Sequence, residues 1–217
     1  LSMLSKNIRT LNNHLLCYLS ILKKESLFFC LPNSNFFMNS KSYLIFPIII
    51  IAGVAIINFS NFMDGIDGLV SGCYLIIFSF ASYLIDKTYV PIVGVILAFF
   101  ILNWYPSKIF MGDIGSTFLA AITLNLLFLN VSFPETLHPI TVLTPLIADS
   151  TTCLLRRVYF RLNPFKPHKM HLYQRLIQGG MSHSNVSSIY IFCSLLISIT
   201  LFIFGFWTSL LVSILCL

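Results

Sequence analysis

Hydrophobic and polar positions fall in long blocks along this chain, not in the one-sided stripe of a soluble surface helix. Uncharged stretches, with histidine counted neutral, run over 42–63, 68–85, 88–107, 114–134 and 176–217. A bilayer core of roughly 30 Å is crossed by about 20 apolar residues of helix, so blocks of this length predict spans. The candidate helices are 11–22, 43–59, 69–85, 90–104, 117–133, 139–155 and 187–204, with a short last run at 206–217. Residues 26–40 are uncharged too, but Pro32, Asn33, Ser34 and Asn35 break them, which predicts a hairpin or re-entrant piece. Tyr43, Tyr89, Trp104 and Tyr105 flank the blocks as an interfacial aromatic belt would. The expectation is an all-α, polytopic transmembrane helical bundle of about 7–8 spans, forming one integral membrane domain over 1–217.

Composition strengthens this reading. Hydrophobic residues make up 57% of the chain and charged residues 9%, against roughly 25% charged in a soluble domain. That excludes a water-soluble globule. The net charge of +6 raises nucleic acid as a partner, but no basic stripe interleaved with aromatics lies outside the spans, so none is expected. Alternating the spans instead puts Lys108, Arg156, Arg157, Arg161, Lys166, Lys169 and Arg175 in loops 60–68, 105–116 and 156–186, and Lys87 alone in loops 86–89 and 134–138. The positive-inside rule makes the first set cytoplasmic. Cys17, Cys30, Cys73, Cys153, Cys193 and Cys216 show no paired spacing and read as small apolar residues.

The few acids mark candidate chemistry. Asp64, Asp67 and Asp113 fall in the cytoplasmic loops, and Asp149 lies within a span, where a carboxylate is costly unless paired. In Asn61-Phe-Met-Asp64-Gly-Ile-Asp67-Gly, two carboxylates three apart would share a helix-end face. Their repulsion would be relieved by a cation or by a ligand's hydroxyls; a capped turn of ordinary Asn, Asp and Gly is the alternative. In the second segment, 103–116, Asp113 stands between glycines, with Ser116 placed to cap a helix starting near 117. That suits a Mg²⁺-diphosphate site, or an acid at a helix start with no further role. In the third, His168 and His171 stand among Lys166, Lys169 and Arg175, which suits phosphate binding and proton handling, or else a plain positive-inside loop. His14, His138 and His183 read as structural.

These segments together resemble the polyprenyl-phosphate N-acetylhexosamine-1-phosphate transferases of glycosyltransferase family 4, the MraY and WecA group. The resemblance rests on NFMDGIDGL at 61–69, NWYPSKIFMGDIGS at 103–116, DSTTCLLRR at 149–157 and PHKMHLYQRL at 167–176. It implies passage of an N-acetylsugar-1-phosphate from a UDP-N-acetylsugar to undecaprenyl phosphate in the lipid bilayer, releasing UMP, with Mg²⁺ required. A homodimer is among the assemblies it allows. Asp113 would hold the metal, and Asn103 and Phe110 the uridine. Asn61, Asp64 and Asp67 would position nucleotide or sugar-phosphate, Asp64 and Asp67 with catalytic roles. His168 and His171, with Lys169 and Arg175, would meet the diphosphate or the acceptor phosphate. The HLYQRL form, with SHSNV following, resembles the branch that initiates lipopolysaccharide or O-antigen synthesis.

One departure is expected to matter. The family carries an Asp-Asp motif upstream that is thought to serve the acceptor, yet no Asp precedes Asp64, and Lys6-Asn7-Ile8-Arg9 resembles the stretch that normally follows that motif. The expectation is an N-terminally truncated member, with an inactive remnant as the alternative reading. A transporter using Asp149 in an ion path is the competing class; the lack of internal repeats and the loop placement of the other acids weigh against it.

Overall fold

The computed structural model describes residues 42–129, 138–163 and 170–216. The chain divides into two units, Leu1–Phe46 and Pro47–Leu217. Of the first unit, only Ser42–Phe46 are described, as helix; the second unit holds the remaining described helices and the candidate site. The predicted helix 11–22 and the hairpin before residue 42 lie outside the described residues, as does most of loop 134–138.

Among the described residues the fold is all helix. The helices are α1 (Ser42–Met63), α2 (Leu69–Leu84), α3 (Val90–Asn103), α4 (Gly112–Leu129), α5 (His138–Val142), α6 (Thr144–Tyr159), α7 (Leu172–Gln178), α8 (His183–Phe204) and α9 (Phe206–Leu215), with a 3-10 turn at Lys87–Tyr89 before α3. Helix α2 is central. It packs against both α3 and α8 and buries Leu69, Val70, Cys73, Tyr74, Ile77 and Phe78. A helix apolar all round belongs in such a position. Gly72 makes the packing close: a Cβ there would run into the Ile191 side chain of α8.

The outer helices turn apolar residues outward. Val95 and Ile101 of α3, Phe202 and Ile203 of α8, and Trp207 and Leu211 of α9 are all exposed. Water would penalise such faces; lipid would not. Hydroxyls inside the helices bond back to carbonyls three or four residues earlier, as Thr123 does to Leu119 (2.9 Å) and Ser198 to Ser194 (2.9 Å). Those hydroxyls therefore enter an apolar setting already satisfied. Helix α8 is, among the described residues, the one long and apolar enough to cross a membrane by length and composition; Ile50–Met63 within α1, α2, Lys87–Asn103 and α9 are shorter apolar stretches.

Several predicted elements differ: α1 runs to Met63, into the loop expected over 60–68, and the loop expected over 156–186 contains the end of α6, all of α7 and the start of α8. The span expected over 139–155 is two helices, α5 and α6, parted at Leu143. Pro145 enters at the start of α6; lacking an N–H and crowding the preceding turn, it begins a helix more readily than it continues one. The loop expected over 105–116 is shorter, because α4 starts at Gly112 with Asp113 in its first turn. A carboxylate there meets the positive helix end, which favours a start at this point. Ser116 therefore lies inside the helix and is not its cap.

Candidate active site

Three segments converge where α1 passes into α2. The turn 64–68 begins as the Asp64 N–H donates to the Asn61 carbonyl (3.2 Å) and ends on Gly68, whose φ of 76° is left-handed. A side chain at 68 would be strained and would also strike the Trp104 ring. Asn103, buried at the end of α3, ties the turn to the next loop. Its Oδ1 accepts from the Gly68 N–H (3.1 Å) and from Ser71 Oγ (2.7 Å), while its Nδ2 donates to the Ile109 carbonyl (2.9 Å). Asp67 makes a second tie, accepting from Ser107 through the hydroxyl (2.9 Å) and the backbone N–H (3.3 Å). Ser187 of α8 donates to the Asp67 carbonyl (2.6 Å).

The result is an open cavity of about 250 Å³ whose lining includes Asp64, Asp67, Asn103, Phe110, Asp113 and His183. Asp64 and Asp113 repel across it. Burial and the nearby Asp113 charge push the Asp64 carboxyl up from 3.8 to about 6, against the opposing pull of the Gly112 backbone N–H. Phe110 stands 76% exposed, so a flat aromatic face is open to a ligand. Glycine at 112, with φ of 66° and open space around it, leaves the helix start bare. Asn61 sits at the edge, its Oδ1 accepting from Ser116 Oγ of α4 (3.1 Å).

The third motif takes another position. His171 is buried at the start of α7, its Nδ1 3.7 Å from Asp149 Oδ1 and its ring stacked on Tyr173. Tyr173 in turn donates to the Phe62 carbonyl (3.1 Å) and lies against Gly65, where a Cβ would collide with its hydroxyl. His171 thus backs the Asp64–Asp67 turn and is not among the residues lining the cavity. Arg175 is exposed in the last turn of α7. His168 and Lys169 lie outside the described residues.

His183, structural by its sequence context, lines the cavity instead, with Nδ1 3.6 Å from Asp67 Oδ2 and its ring beside Tyr105. Ser182, an N-cap that accepts from the Asn185 N–H (3.3 Å), starts α8 at His183, but that cap carries no sign that Asp67 lies alongside. Ser107 is a second residue that the motifs do not mark, since a serine in a loop carries no distinguishing pattern. For a metal, the described residues hold no group of three or more His, Cys, Asp or Glu. The Asp64–Asp113 pair suits a hard cation that takes only one or two carboxylates and completes its shell with phosphate oxygens and water.

The cavity thus joins three acids from two segments beside an exposed aromatic ring, and sequence comparison gives the chain's kin. The model of glycosyl transferase family 4 matches residues 2–130, and the chain belongs to that family. The match covers Asp64, Asp67, Asn103, Phe110 and Asp113. The family is one of membrane proteins, in keeping with the outward apolar faces. A Bacillus subtilis (strain 168) relative, named "Probable undecaprenyl-phosphate N-acetylglucosaminyl 1-phosphate transferase", is 31% identical over 65% of this chain and 43% of its own length. A decaprenyl-phosphate N-acetylglucosaminephosphotransferase of Mycobacterium tuberculosis (strain CDC 1551 / Oshkosh) is 33% identical over 61% of this chain and 41% of its own. A phospho-N-acetylmuramoyl-pentapeptide-transferase of Clostridioides difficile (strain 630) is 40% identical over 40% of this chain and 29% of its own. The matched stretch thus spans less than half of each relative.

Proposed function

We propose that this protein moves an N-acetylhexosamine-1-phosphate from a UDP-sugar to a polyprenyl phosphate, undecaprenyl phosphate in a bacterial inner membrane. The observation that carries the reading is the joint placement of Asp64, Asp67 and Asp113 in one cavity beside the exposed Phe110. The names of the relatives point to the same chemistry. In the reaction an oxygen of the lipid phosphate attacks the β-phosphorus of the UDP-sugar. The bridging bond to the α-phosphate breaks, and UMP leaves with that bonding pair. Product and reactants balance, with no oxidant and no covalent enzyme intermediate required.

Such a transfer needs positioning and charge neutralisation above all. Mg²⁺, held by Asp113 with Asp64 beside it, would supply the neutralising charge on the diphosphate. Phe110 offers its ring to the uracil. Asn103 has its amide engaged within the protein, so it holds the uridine end of the cavity in shape. Asp67, fixed by Ser107, faces the sugar-phosphate with His183, and Asn61 braces the entrance of α4 through Ser116. His168, Lys169 and Arg175 are the cations we assign to the acceptor phosphate, with His171 buttressing the start of α7, the helix that carries Arg175. The helices cross the bilayer several times with this cavity on the cytoplasmic side, where the UDP-sugar is available. We assign the reaction to the start of lipopolysaccharide, O-antigen or another envelope glycan, a reading supported by the HLYQRL form at 171–176.

The test is direct. Membranes of cells expressing the protein from its own locus, with the adjoining coding DNA in place, should convert radiolabelled UDP-N-acetylglucosamine to a butanol-soluble lipid only when undecaprenyl phosphate and Mg²⁺ are both present. Labelled lipid equal to that of membranes lacking the gene would refute the assignment.

A further inference from the structure

Helix α7 has seven residues, too few to persist in isolation, so its placement is set by whatever holds its ends. Its free N-terminal donors are taken by a carboxylate from another helix. Asp149 of α6 accepts the Leu172 N–H at Oδ1 (2.7 Å) and the Tyr173 N–H at Oδ2 (3.2 Å). From the opposite side Tyr190 of α8 donates its hydroxyl to Oδ2 (2.7 Å), so the carboxylate cannot swing away. Asp149 is 6% exposed. Three donors on a buried acid is a fixed arrangement, and a carboxylate at a helix N-terminus is favoured by charge as well.

Asp149 is not among the residues lining the proposed site, but what it holds reaches that site's frame. Tyr173, whose backbone it caps, donates to the Phe62 carbonyl (3.1 Å) and fills the space behind Gly65. Phe62 and Gly65 stand on either side of Asp64. The path is short: Asp149, the first turn of α7, the Tyr173 ring, the Asp64–Asp67 turn. We propose that Asp149 is a positioning residue which, through α7 and Tyr173, sets the placement of the Asp64–Asp67 turn. It binds neither substrate nor metal. The consequence for turnover rests on the transferase reading above; the mechanical part does not.

The experiment has two arms on the same membrane protein. In the first, amide hydrogen exchange compares wild type with Asp149→Asn. Exchange should quicken in 171–178 and 62–67 and stay unchanged in 69–84. Unchanged exchange in 62–67 would overturn the proposal, as would a general loss of protection that includes α2. In the second arm, Asp149→Asn should lower kcat about 10- to 100-fold, the scale of a misplaced catalytic group, with KM for the UDP-sugar within about twofold. Tyr173→Phe should act in the same direction, and the double variant should be no worse than Asp149→Asn alone, because both interrupt one path. Independent, multiplying losses would overturn it. Should Asp149→Asn fail to fold, Tyr190→Phe keeps the carboxylate and should show a weaker form of the same exchange pattern. Wild-type membranes without transfer would sink the proposed function, while the exchange pattern would still decide what Asp149 holds.

Discussion

Ser107 gives Asp67 both its hydroxyl, at 2.9 Å, and its backbone N–H, at 3.3 Å. Forty positions of chain separate the two, and this pair fixes the loop after α3 onto the turn before α2. One carboxylate is thereby aimed by a residue with no chemistry of its own.

Removing that hydroxyl should cost more than a surface serine would. A hydrogen bond to a charged group is worth about 1.5–3 kcal/mol, and here the backbone N–H remains. Ser107→Ala is expected to lose about 1 kcal/mol, a fall of roughly 2–4 °C in thermal midpoint for a chain of this size. Transfer activity should fall with it. Thermal unfolding in matched detergent and an activity assay check this; an unchanged midpoint together with unchanged activity would mean that Asp67 needs no such support.

Asp64 should make stability depend on pH. Its carboxyl is lifted from 3.8 to about 6, so the fold holds the proton more tightly than the unfolded chain does. The contribution is fully present below the unfolded value and is lost as pH rises through about 6. Asp64→Asn should therefore stabilise the protein at pH 7 in the presence of chelator, by on the order of 1 kcal/mol after allowing for solvent screening. The gain should vanish near pH 4. Thermal midpoints across this range measure it, and a gain that grows toward acid would contradict the assigned sign.

Glycines here are not equivalent. Gly68 has a φ of 76° and the Trp104 ring 2.7 Å from where a Cβ would stand. Gly68→Ala should destabilise by about 2 kcal/mol or more. Gly94, within α3, has nothing within 4 Å of that point, and Gly94→Ala should be neutral or stabilising by about 0.5–1 kcal/mol. Comparing the two variants in one detergent separates backbone strain from a general sensitivity to added methyl groups.

Much of this architecture is legible in the sequence, for identifiable reasons. Block hydrophobicity locates α2, α3 and α8 within a few residues, because long apolar runs leave helix as the only element that satisfies their backbone in lipid. Scarcity of charge makes Asp64, Asp67 and Asp113 stand out, and they do share a cavity. The break at Leu143 is not legible, because the apolar block hides the effect of Pro145. Nor is the role of His183, which depends on α8 starting beside Asp67, a relation between elements far apart in sequence. Asp149 is conspicuous as an acid within an apolar run, but its partners, two backbone N–H groups and Tyr190, carry no sequence signal of contact.

The most direct test of the central claim is UMP release from UDP-N-acetylglucosamine by membranes supplied with undecaprenyl phosphate, measured against Mg²⁺ for wild type and Asp113→Asn. If Asp113 holds the metal at this cavity, the variant should release UMP at least about 100-fold more slowly at a fixed millimolar Mg²⁺ level. Part of that loss should return as Mg²⁺ is raised. Release by Asp113→Asn at the wild-type rate, with the same Mg²⁺ dependence, would contradict the account.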